Sequence, residues 1–545
     1  MKIINMNNKD LVNIDSPKNE LLPIMFAGTG SDVGKSIIAT GFCRIFLQDG
    51  YRPAPFKAQN MALNSFATPE GLEIGRAQAV QAEAAGIPCN TDMNPILLKP
   101  NTNLNSQVIV NGKSIGNQSA LSYFKKEKFD YLKTEVHDAF NRLCSKFNPI
   151  VLEGAGSISE INLRDTDLVN MSMAIHAGAA VVLIADIDKG GVFASIYGSI
   201  QLLTPKERRH IKGIIINKFR GDLRLFENGI KIIEDLCHIP VLGVVPYYKD
   251  IHIEEEDSVA LSTKNISAET GKINIAAVLL RHLSNFTDFN VIEQDERVHL
   301  YYTNNVEEIK KADIIIIPGS KSTLDDIYEL RKNGVAQAIV RASKDGKTVL
   351  GICGGFQMMG VQILDPDHVE GDIESLPGLS LLPTITTMSK EKITQQINFA
   401  INNEDNAKRE KNNINDCKDK VAAAECELLY GEKDSIYDCK GYEIHMGRTE
   451  IVPYAKSSEN KSLNKIEDGR YDGYIVNNKC MGTYIHGILD NPQFIDFLLE
   501  PYTDKLTHST FNYSEFKEEQ YDKLAEHIRK YVDIPLVYKI LKKEI

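Results

Sequence analysis

Short runs of apolar residues alternate with helical patterns along most of this 545-residue chain, and this rhythm constrains the fold more than any other feature. The early runs are LLPIMFAG (21–28), PIVLEG (149–154), AAVVLIAD (179–186), IKGIIINK (211–218) and IPVLGVVP (239–246). Strands that are apolar throughout, with no polar alternation, are buried on both faces, as in a parallel sheet covered by helices. The pattern therefore predicts an α/β fold built on parallel sheets.

The alternation of apolar strands and helices is interrupted once and then resumes, which predicts two α/β domains. The interruption, residues 251–271, is charged and contains several Ser and Thr residues, so we interpret it as a linker. The strand runs that follow are KINIAAVLL (272–280), ADIIIIPGS (312–320) and KTVLGICGG (347–355). We place a first domain at 21–250 and a second domain at 272–496.

Three further segments lie outside this rhythm. Residues 1–20 form a polar N-terminal extension, and 497–545 form a tail with helical periodicity in EEQYDKLAEHIRKYV (518–532). A stretch at about 388–435 contains NNEDNAKREKNNINDCKDK (402–420), which is nearly devoid of large apolar residues. Such a sequence buries too little surface to offset its ordering entropy, so we predict a flexible insertion in the second domain.

Charge and cysteine usage narrow the class of protein. The net charge of −12 argues against a broad nucleic-acid or anionic-membrane surface. The nine cysteines include no CxxC pair, which favours a reducing cytosol over a disulfide framework or zinc ribbon. The N-terminus lacks the apolar stretch of a signal peptide, and no apolar run approaches the ~20 residues of a membrane span. We therefore expect a cytoplasmic protein without nucleic-acid or membrane partners.

A glycine-rich loop between the first strand and a helix predicts a phosphate site. Glycines let the backbone wrap phosphates, the helix N-terminus directs N–H groups at the anion, and Lys35 adds charge. The Ser36 hydroxyl is placed to ligate Mg²⁺. Compared with the common spacing, Gly28 lies one residue too far from Gly34, and a turn without ligand is the alternative. The predicted ATP-binding residues are Gly28, Thr29, Gly30, Ser31, Asp32, Val33, Gly34, Lys35 and Ser36.

Two polar residues end later strands of the same domain. Glu153 follows the strand in VLEG, so its carboxylate belongs at the edge where open parallel sheets bind ligands. Coordination of Mg²⁺ is one interpretation of Glu153, and capping of a turn is the other. Asn217 ends another strand, a position typical of base recognition in nucleotide-binding folds.

The segment GICGGFQMMG (351–360) predicts a thiol nucleophile. Small residues on both sides of Cys353 allow the strained strand-to-helix bend that exposes a nucleophile. The start of the next helix favours the thiolate, and the backbone N–H of Gly354 can face a developing oxyanion. A buried inert cysteine is the alternative. Among the twelve histidines, His486 in GTYIHG (482–487) has the best context for the base, with a structural role as its alternative.

The first domain resembles a known group of enzymes. Its G-T-x-S-D-V-G-K-S loop with E-G-A-G (153–156) is similar to dethiobiotin synthetase-like enzymes, which activate carboxylates with ATP. The match is sharpest with the cobyric acid synthase family and covers about residues 22–495, apart from the insertion. The segments that carry it are KAQNMALNS (57–65), EIGRAQA (73–79), NPILLKP (94–100), EINL (160–163), DIDKGGVFA (186–194) and NKFRGD (217–222).

The second domain resembles a class I glutamine amidotransferase. The resemblance implies that Cys353 attacks the glutamine carboxamide, releasing ammonia and leaving a glutamyl thioester, while His486 activates the thiol and then a water. It also implies an oxyanion N–H from Gly319. Class I domains carry Glu two residues after the histidine, where this chain has Ile488. The third triad member is therefore absent or comes from elsewhere, and Asp490 and Glu443 are guesses.

By resemblance, the enzyme uses ATP, Mg²⁺ and L-glutamine, without a prosthetic group, in cobalamin biosynthesis. It would amidate the b, d, e and g carboxylates of adenosylcobyrinic acid a,c-diamide to give adenosylcobyric acid. Lys57 would stabilise the transferring phosphoryl group. Asn60, Asn64 and His445 are candidate substrate contacts, and a structural role for His445 stays equally open.

Three alternatives remain. Cobyrinic acid a,c-diamide synthase shares the two-domain plan, but the segments at 57–65 and 73–79 favour cobyric acid synthase. A non-enzymatic P-loop switch would not need the nucleophile turn at Cys353. A class I-like peptidase would not need an ATP site.

Overall fold

The computed structural model describes residues 20–101, 105–123, 125–254, 261, 264–402, 437–452, 462–503 and 511–545. The predicted N-terminal extension, except Glu20, and most of the predicted insertion lie outside these residues. No helix in the described ranges is long and apolar enough to cross a membrane.

The first domain is built on a parallel sheet, as its apolar runs predict. Its strands are β1 (Ile24–Gly28), β2 (Ala54–Phe56), β3 (Gln59–Met61), β4 (Ser65–Ala67), β5 (Glu73–Gly75), β6 (Ile96–Pro100), β7 (Asn105–Val110), β8 (Lys113–Ser119), β9 (Ile150–Glu153), β10 (Ala180–Asp186), β11 (Ile211–Phe219) and β12 (Val241–Pro246). The main sheet has the order β12-β11-β10-β1-β9-β2, and every pair in it is parallel. Every residue of β1 and β10 is buried, because helices cover both faces.

Helices and a smaller sheet surround this main sheet. The helices are α1 (Lys35–Gln48), α2 (Arg76–Ala84), α3 (Ala120–Tyr123), α4 (Lys126–Cys144), α5 (Met171–Ala177), α6 (Val192–Leu202), α7 (Pro205–Arg208) and α8 (Glu227–Cys237). The smaller sheet has the order β3-β6-β7-β8, and β4 pairs only with β5 among the described strands. These short elements project from the carboxyl edge of the main sheet towards the second domain.

The second domain repeats the α/β plan and adds an antiparallel sheet. Its strands are β13 (Ile273–Val278), β14 (Leu283–Ser284), β15 (Val298–Thr303), β16 (Ile314–Ile317), β17 (Gly319–Ser320), β18 (Thr348–Ile352), β19 (Gln362–Leu364), β20 (Ser375–Pro377), β21 (Thr384–Ile401), β22 (Cys439–Ile451), β23 (Asn464–Ile466), β24 (Tyr471–Asp472), β25 (Tyr474–Val476), β26 (Cys480–Thr483) and β27 (Ile485–His486). The first sheet runs β15-β13-β16-β18-β26-β25, and only its β25–β26 pair is antiparallel. The α/β fold class is thereby confirmed.

Helices cover this second core and continue into the C-terminal tail. They are α9 (Asn290–Glu293), α10 (Val306–Lys311), α11 (Thr323–Lys332), α12 (Val335–Lys344), α13 (Gly354–Met359), α14 (Pro492–Leu499), α15 (Tyr513–Tyr531) and α16 (Ile534–Leu541). The tail helix α15 returns to the first domain, where Leu524 and Ile528 pack against Gly41 of α1. Arg44 on α1 pairs with Asp522 at 2.7 Å. The tail thus belongs to the core of the first domain.

A long antiparallel pair corrects the predicted start of the insertion. Strands β21 and β22 pair from Thr384 with Ile451 to Phe399 with Cys439. Residues 388–401, which the sequence analysis assigned to a flexible insertion, are therefore part of a sheet. Met388, Ile397 and Phe399 are buried in this strand, whereas the residues between Met388 and Ile397 are mostly polar. Residues 403–436 lie outside the described part.

Candidate active site

The phosphate loop is held in shape by its own backbone and by the neighbouring strand. Gly34 has φ 97°, and a Cβ atom there would lie 2.1 Å from Nδ2 of Asn217, so only glycine fits. The Asn217 Nδ2 group donates to the Val33 carbonyl at 2.9 Å. Asn217 is therefore placed against the loop backbone, where it supports the loop. The Lys35 ammonium donates to the carbonyls of Gly30 and Gly156 at 2.9 and 3.0 Å.

Glu153 is the centre of a buried polar cluster beside this loop. Its carboxylate accepts hydrogen bonds from Ser36 Oγ at 2.9 Å, Lys57 Nζ at 2.9 Å and Gln81 Nε2 at 2.6 Å. Burial raises the pKa of Glu153, but the Lys57 charge and these three donors outweigh burial and lower it overall. The sequence predictions for Ser36, Lys57 and Glu153 thus converge on one point at the carboxyl edge of the sheet.

The Ser36 hydroxyl and the Glu153 carboxylate fit a Mg²⁺ site. Mg²⁺ prefers oxygen ligands and usually takes one or two protein groups together with phosphate oxygens and water. No group of three His, Cys, Asp or Glu side chains within the described ranges could hold a metal by itself. A magnesium ion here would therefore depend on the phosphates of a nucleotide for further ligands.

Asn60, in strand β3, and Asn64, four residues later, are both buried in the first domain. The Asn60 amide donates to Gln78 Oε1 at 3.1 Å. The Asn64 carbonyl accepts from the Arg76 backbone at 3.2 Å. Both side chains are almost fully buried. These contacts lie within the first domain, and the assignment of Asn60 and Asn64 to substrate contact stays a prediction.

Cys353 occupies the strained turn that the sequence predicts. Its backbone has φ 52° and ψ −107°, between β18 and α13. A Cβ at Gly355 would lie 1.9 Å from the Ile317 carbonyl oxygen, so the turn requires a residue without a side chain there. A Cβ at Gly354 would lie 2.7 Å from the backbone nitrogen of Ser320. The loop that contains Gly319 and Ser320 is therefore next to Gly354, as an oxyanion site requires.

His486 connects the thiol to a carboxylate that sequence reasoning missed. The His486 ring interacts with Cys353, and its Nδ1–H donates to Asp288 Oδ2 at 2.7 Å. The other Asp288 oxygen accepts from the Gly487 backbone at 3.0 Å. Burial lowers the pKa of His486, but the Asp288 carboxylate and the Cys353 thiol together raise it to about 10. The arrangement favours an imidazolium at His486 beside the sulfur of Cys353.

Neither guessed third residue contacts the His486 ring. Glu443 accepts from Gln395 and lies 3.4 Å from Arg470. Asp490 is buried near Gly487, and burial raises its pKa to about 8. Asp288 lies in a 3-10 helix (Phe286–Phe289), beyond the short strand β14 that follows β13. No local sequence pattern pointed to Asp288, because its contact with His486 joins segments 198 residues apart.

His445 lies in the wall of the pocket that contains Cys353 and His486, which we call the thiol pocket. Its ring stacks on Tyr484 with 3.7 Å between centroids, and its Nδ1–H donates to the Gly447 carbonyl at 2.8 Å. Burial lowers its pKa to about 4, so the ring is neutral at pH 7. These contacts support a packing role for His445 in the wall of this pocket, and its assignment as a substrate contact stays a prediction.

The thiol pocket is shared between the two domains. Lys99 on β6 and Lys392 on β21 both line it, and both bind Glu73 of β5. The Lys99 ammonium lies 2.9 Å from Glu73 and 2.8 Å from Ser65 Oγ. The Ser65 backbone N–H in turn donates to Asn285 Oδ1 at 3.0 Å. The first domain thereby supplies part of the wall around Cys353.

Comparison with known proteins gives the same two-domain division. Residues 24–259 match the CobQ/CobB/MinD/ParA nucleotide binding domain, and residues 274–494 match the CobB/CobQ-like glutamine amidotransferase domain. The chain is 65% identical over 521 residues to a cobyric acid synthase of Bacteroides fragilis, covering 96% of this chain and 98% of the relative. For the cobyric acid synthases of Phocaeicola vulgatus and Parabacteroides distasonis, identity is 63% and 55%, over 96% of this chain and 99% and 100% of the relatives.

Proposed function

The chain belongs to the cobyric acid synthase family, and we propose that it amidates the b, d, e and g carboxylates of adenosylcobyrinic acid a,c-diamide. The observation that supports this proposal is that one chain contains two different sites, one in each domain, on either side of the domain interface. A phosphate loop with Ser36, Lys57 and Glu153 lies in one domain, and a Cys353–His486–Asp288 centre lies in the other. ATP and L-glutamine are the co-substrates that these two centres require.

In the glutaminase domain, Cys353 acts as the nucleophile. His486 holds the proton that the departing ammonia needs, and Asp288 fixes the ring so that Nε2 faces the sulfur. The thiolate attacks the carboxamide carbon, and the backbone N–H groups of Gly354 and the 319–320 loop stabilise the oxyanion. A water activated by His486 then hydrolyses the thioester to glutamate.

In the first domain, the phosphate loop and Lys57 promote activation of a carboxylate. A carboxylate is a poor acyl donor because its leaving group is oxide, so phosphorylation by ATP precedes attack by ammonia. Lys35 and the N-terminus of α1 bind phosphate oxygens, and Lys57 is positioned to offset charge on the transferring phosphoryl group. Ser36 and Glu153 would hold Mg²⁺, whose charge would further stabilise the phosphates.

Ammonia must move between the two centres without becoming ammonium in bulk water. We propose that it passes the buried polar side chains that join them. Ser65 and Asn285 lie at the thiol-pocket end, and Gln81 contacts Glu153 at the other end. Between these ends, the side chains of Asn60, Asn94 and Gln78 converge around Gly75, where a Cβ would lie within about 3.0 Å of each.

Mass spectrometry of corrinoid products tests the proposed reaction. Purified protein with ATP, Mg²⁺, glutamine and adenosylcobyrinic acid a,c-diamide is expected to give a product with four new carboxamides. Two amidations of adenosylcobyrinic acid, with none of the a,c-diamide, would favour the cobyrinic acid a,c-diamide synthase alternative. If neither substrate is amidated, both the proposed reaction and the cobyrinic acid a,c-diamide synthase alternative would be wrong.

We also propose a reducing, cytoplasmic location. The seven cysteines that the structure describes all carry free thiols, although several lie in buried positions where a crosslink would be protected.

A further inference from the structure

The charged groups around Cys353 are not equivalent. The pocket that contains Cys353 and His486 is also lined by Lys99, Lys392 and two further charged side chains, Lys321 and Glu370. Lys99 and Lys392 are both ion-paired with Glu73, which binds the two ammonium groups together. Apart from Cys353 and His486, the charged side chains of this pocket without an ion-pair partner among the described residues are Lys321 and Glu370.

Glu370 is held in a fixed position at this pocket. Its carboxylate accepts from the Thr323 backbone N–H at 2.6 Å and from the Thr323 hydroxyl at 3.2 Å. The same Thr323 hydroxyl, which has one proton to share between two acceptors, also lies 3.1 Å from Gln357 Oε1, one turn along the helix that begins after Cys353. The contacts come from the side of α11, so the carboxylate keeps lone pairs for a ligand in the pocket.

Lys321 follows the loop that lies against Gly354. Its backbone N–H donates to the His282 carbonyl at 2.9 Å, which fixes the start of the side chain. Within the described part of the chain, the Lys321 ammonium has no carboxylate within ion-pair distance, although it interacts electrostatically with Glu370. It is the pocket cation that a ligand anion can bind without displacing an existing partner.

Glutamine carries one anion and one cation at the end opposite its carboxamide. We propose that Lys321 binds the α-carboxylate of glutamine and that Glu370 binds its α-ammonium group, with the carboxamide directed at Cys353. This assignment rests on the proposed glutaminase function of the pocket. It makes Lys321 and Glu370 specificity residues that separate free glutamine from simple amides and from peptide-bound glutamine.

The electrostatics of Lys321 and Glu370 agree with this assignment. Burial lowers the pKa of Lys321 to about 7 and raises the pKa of Glu370 to about 7. A bound zwitterion supplies the opposite charge to each group and restores both to their charged forms.

Two glutamine analogues, each lacking one charged group, test the two contacts separately. The compound 4-carbamoylbutanoate lacks the α-ammonium group, and 4-aminobutanamide lacks the α-carboxylate. We would measure ammonia release from glutamine and both analogues by the wild-type chain, Glu370→Gln and Lys321→Met. Lys390→Met and Glu374→Gln change exposed charges of the same type and serve as controls.

Each variant is expected to lose activity only on compounds that carry the charged group which the replaced residue is proposed to bind. Glu370→Gln should reduce kcat/KM about 10- to 100-fold for glutamine and 4-aminobutanamide and leave 4-carbamoylbutanoate unchanged, because a charged hydrogen bond is lost. Lys321→Met should show the reverse selectivity between the analogues. Lys321→Arg should recover part of the glutamine activity.

Equal losses on all three compounds, or no loss, would overturn the assignment. Ammonia-dependent amidation by each variant reports whether the chain is folded, since it does not use this pocket. If the wild-type chain releases no ammonia from glutamine, the proposed function itself is wrong. If the wild-type chain releases ammonia but the variants do not distinguish the three compounds, only the assignment of Lys321 and Glu370 is wrong.

Discussion

Nδ1 of His486 lies 2.7 Å from Oδ2 of Asp288, across 198 residues of chain. The pair joins β27, the last strand of the antiparallel sheet, to the 3-10 helix Phe286–Phe289 that follows β14. It supplies the contact that a glutamate two residues after the histidine makes in the usual class I pattern. In this chain, the carboxylate that pairs with the histidine therefore comes from a different segment of the sequence.

Asp288→Asn should move the alkaline limb of glutaminase activity to lower pH. The carboxylate is the main group that holds the pKa of His486 at about 10, and an amide carries no charge to do so. Activity requires a protonated His486 beside the thiolate, so the limb follows this pKa. The pH profile of kcat/KM for glutamine measures the shift, and Asp490→Asn, which removes a buried carboxylate without touching the ring, is the control. Identical profiles for wild type and Asp288→Asn would refute this role.

The same pair makes stability depend on pH in a defined window. The folded pKa of His486 lies above its ordinary value of 6.5, so its charged contacts contribute fully below about pH 6.5. The contribution declines as the pH rises towards about 10. Urea unfolding across this window should show a decline that is smaller in Asp288→Asn.

Cys353→Ala should separate the two activities. Glutamine-dependent amidation is expected to fall to background, because no other described thiol lies in a strained turn beside a paired histidine. Amidation with free ammonia should persist, since the phosphate loop is unchanged. Cys480→Ala changes a buried thiol on the neighbouring strand β26 and should keep both activities. A folded Cys353→Ala protein that ammonia fails to rescue would contradict the two-site mechanism.

Local patterns predicted the parts of each site that lie within one segment. The phosphate loop, Glu153 and the Cys353 turn follow buried strands, and a sheet brings the ends of its strands together whatever their exact order. Asp288 could not be assigned in this way because its link to His486 depends on how β27 closes the second sheet. The wall of the thiol pocket depends on domain packing, which brings Glu73 and Lys392 together across 319 residues.

The β21–β22 pair shows a different limit of sequence analysis. Polar residues at 389–396 resembled the adjacent polar stretch, although alternate side chains of this strand contact the first domain. Gln396, for example, donates to the Ala67 carbonyl at 2.8 Å. A strand that is polar because it faces another domain has the composition of a solvated segment.

Lys35→Ala should abolish amidation with either nitrogen source while glutamine hydrolysis continues. The Lys35 ammonium contacts the Gly30 carbonyl of the phosphate loop, and the loop backbone alone carries no formal positive charge that could replace it. Comparing product formation with glutamine and with ammonia measures the effect, and Lys212→Ala on the exposed face of β11 is the control. Ammonia-dependent product from Lys35→Ala would mean that the loop does not bind the reacting nucleotide.

Glu73→Gln should destabilise the chain. The Glu73 carboxylate is the counter-charge that two buried ammonium groups share, and its loss leaves Lys99 and Lys392 close together without one. Removing one partner from a buried ionic cluster costs about 3–5 kcal/mol. Urea unfolding measures the change, with the exposed Glu70→Gln as control. A free energy of unfolding equal to that of the control would show that solvent reaches this cluster.

Ser65→Leu should uncouple glutamine hydrolysis from amidation. Ser65 is fully buried between Lys99 and Asn285, and leucine adds bulk at the point where the thiol pocket meets the first domain. Cys353 and the phosphate loop are untouched, so ammonia release from glutamine and ammonia-dependent amidation should both continue. The ratio of amide formed to glutamine hydrolysed is the measurement, and we expect it to fall several-fold.

The control for this substitution is Ser114→Leu, which adds the same side chain at an exposed position on strand β8 of the neighbouring small sheet. Its ratio should equal that of the wild-type chain. If Ser65→Leu also keeps the wild-type ratio, ammonia takes a route that does not pass Ser65. If it loses ammonia-dependent amidation as well, the substitution disturbs the first domain, because direct supply of ammonia does not depend on the path between the sites.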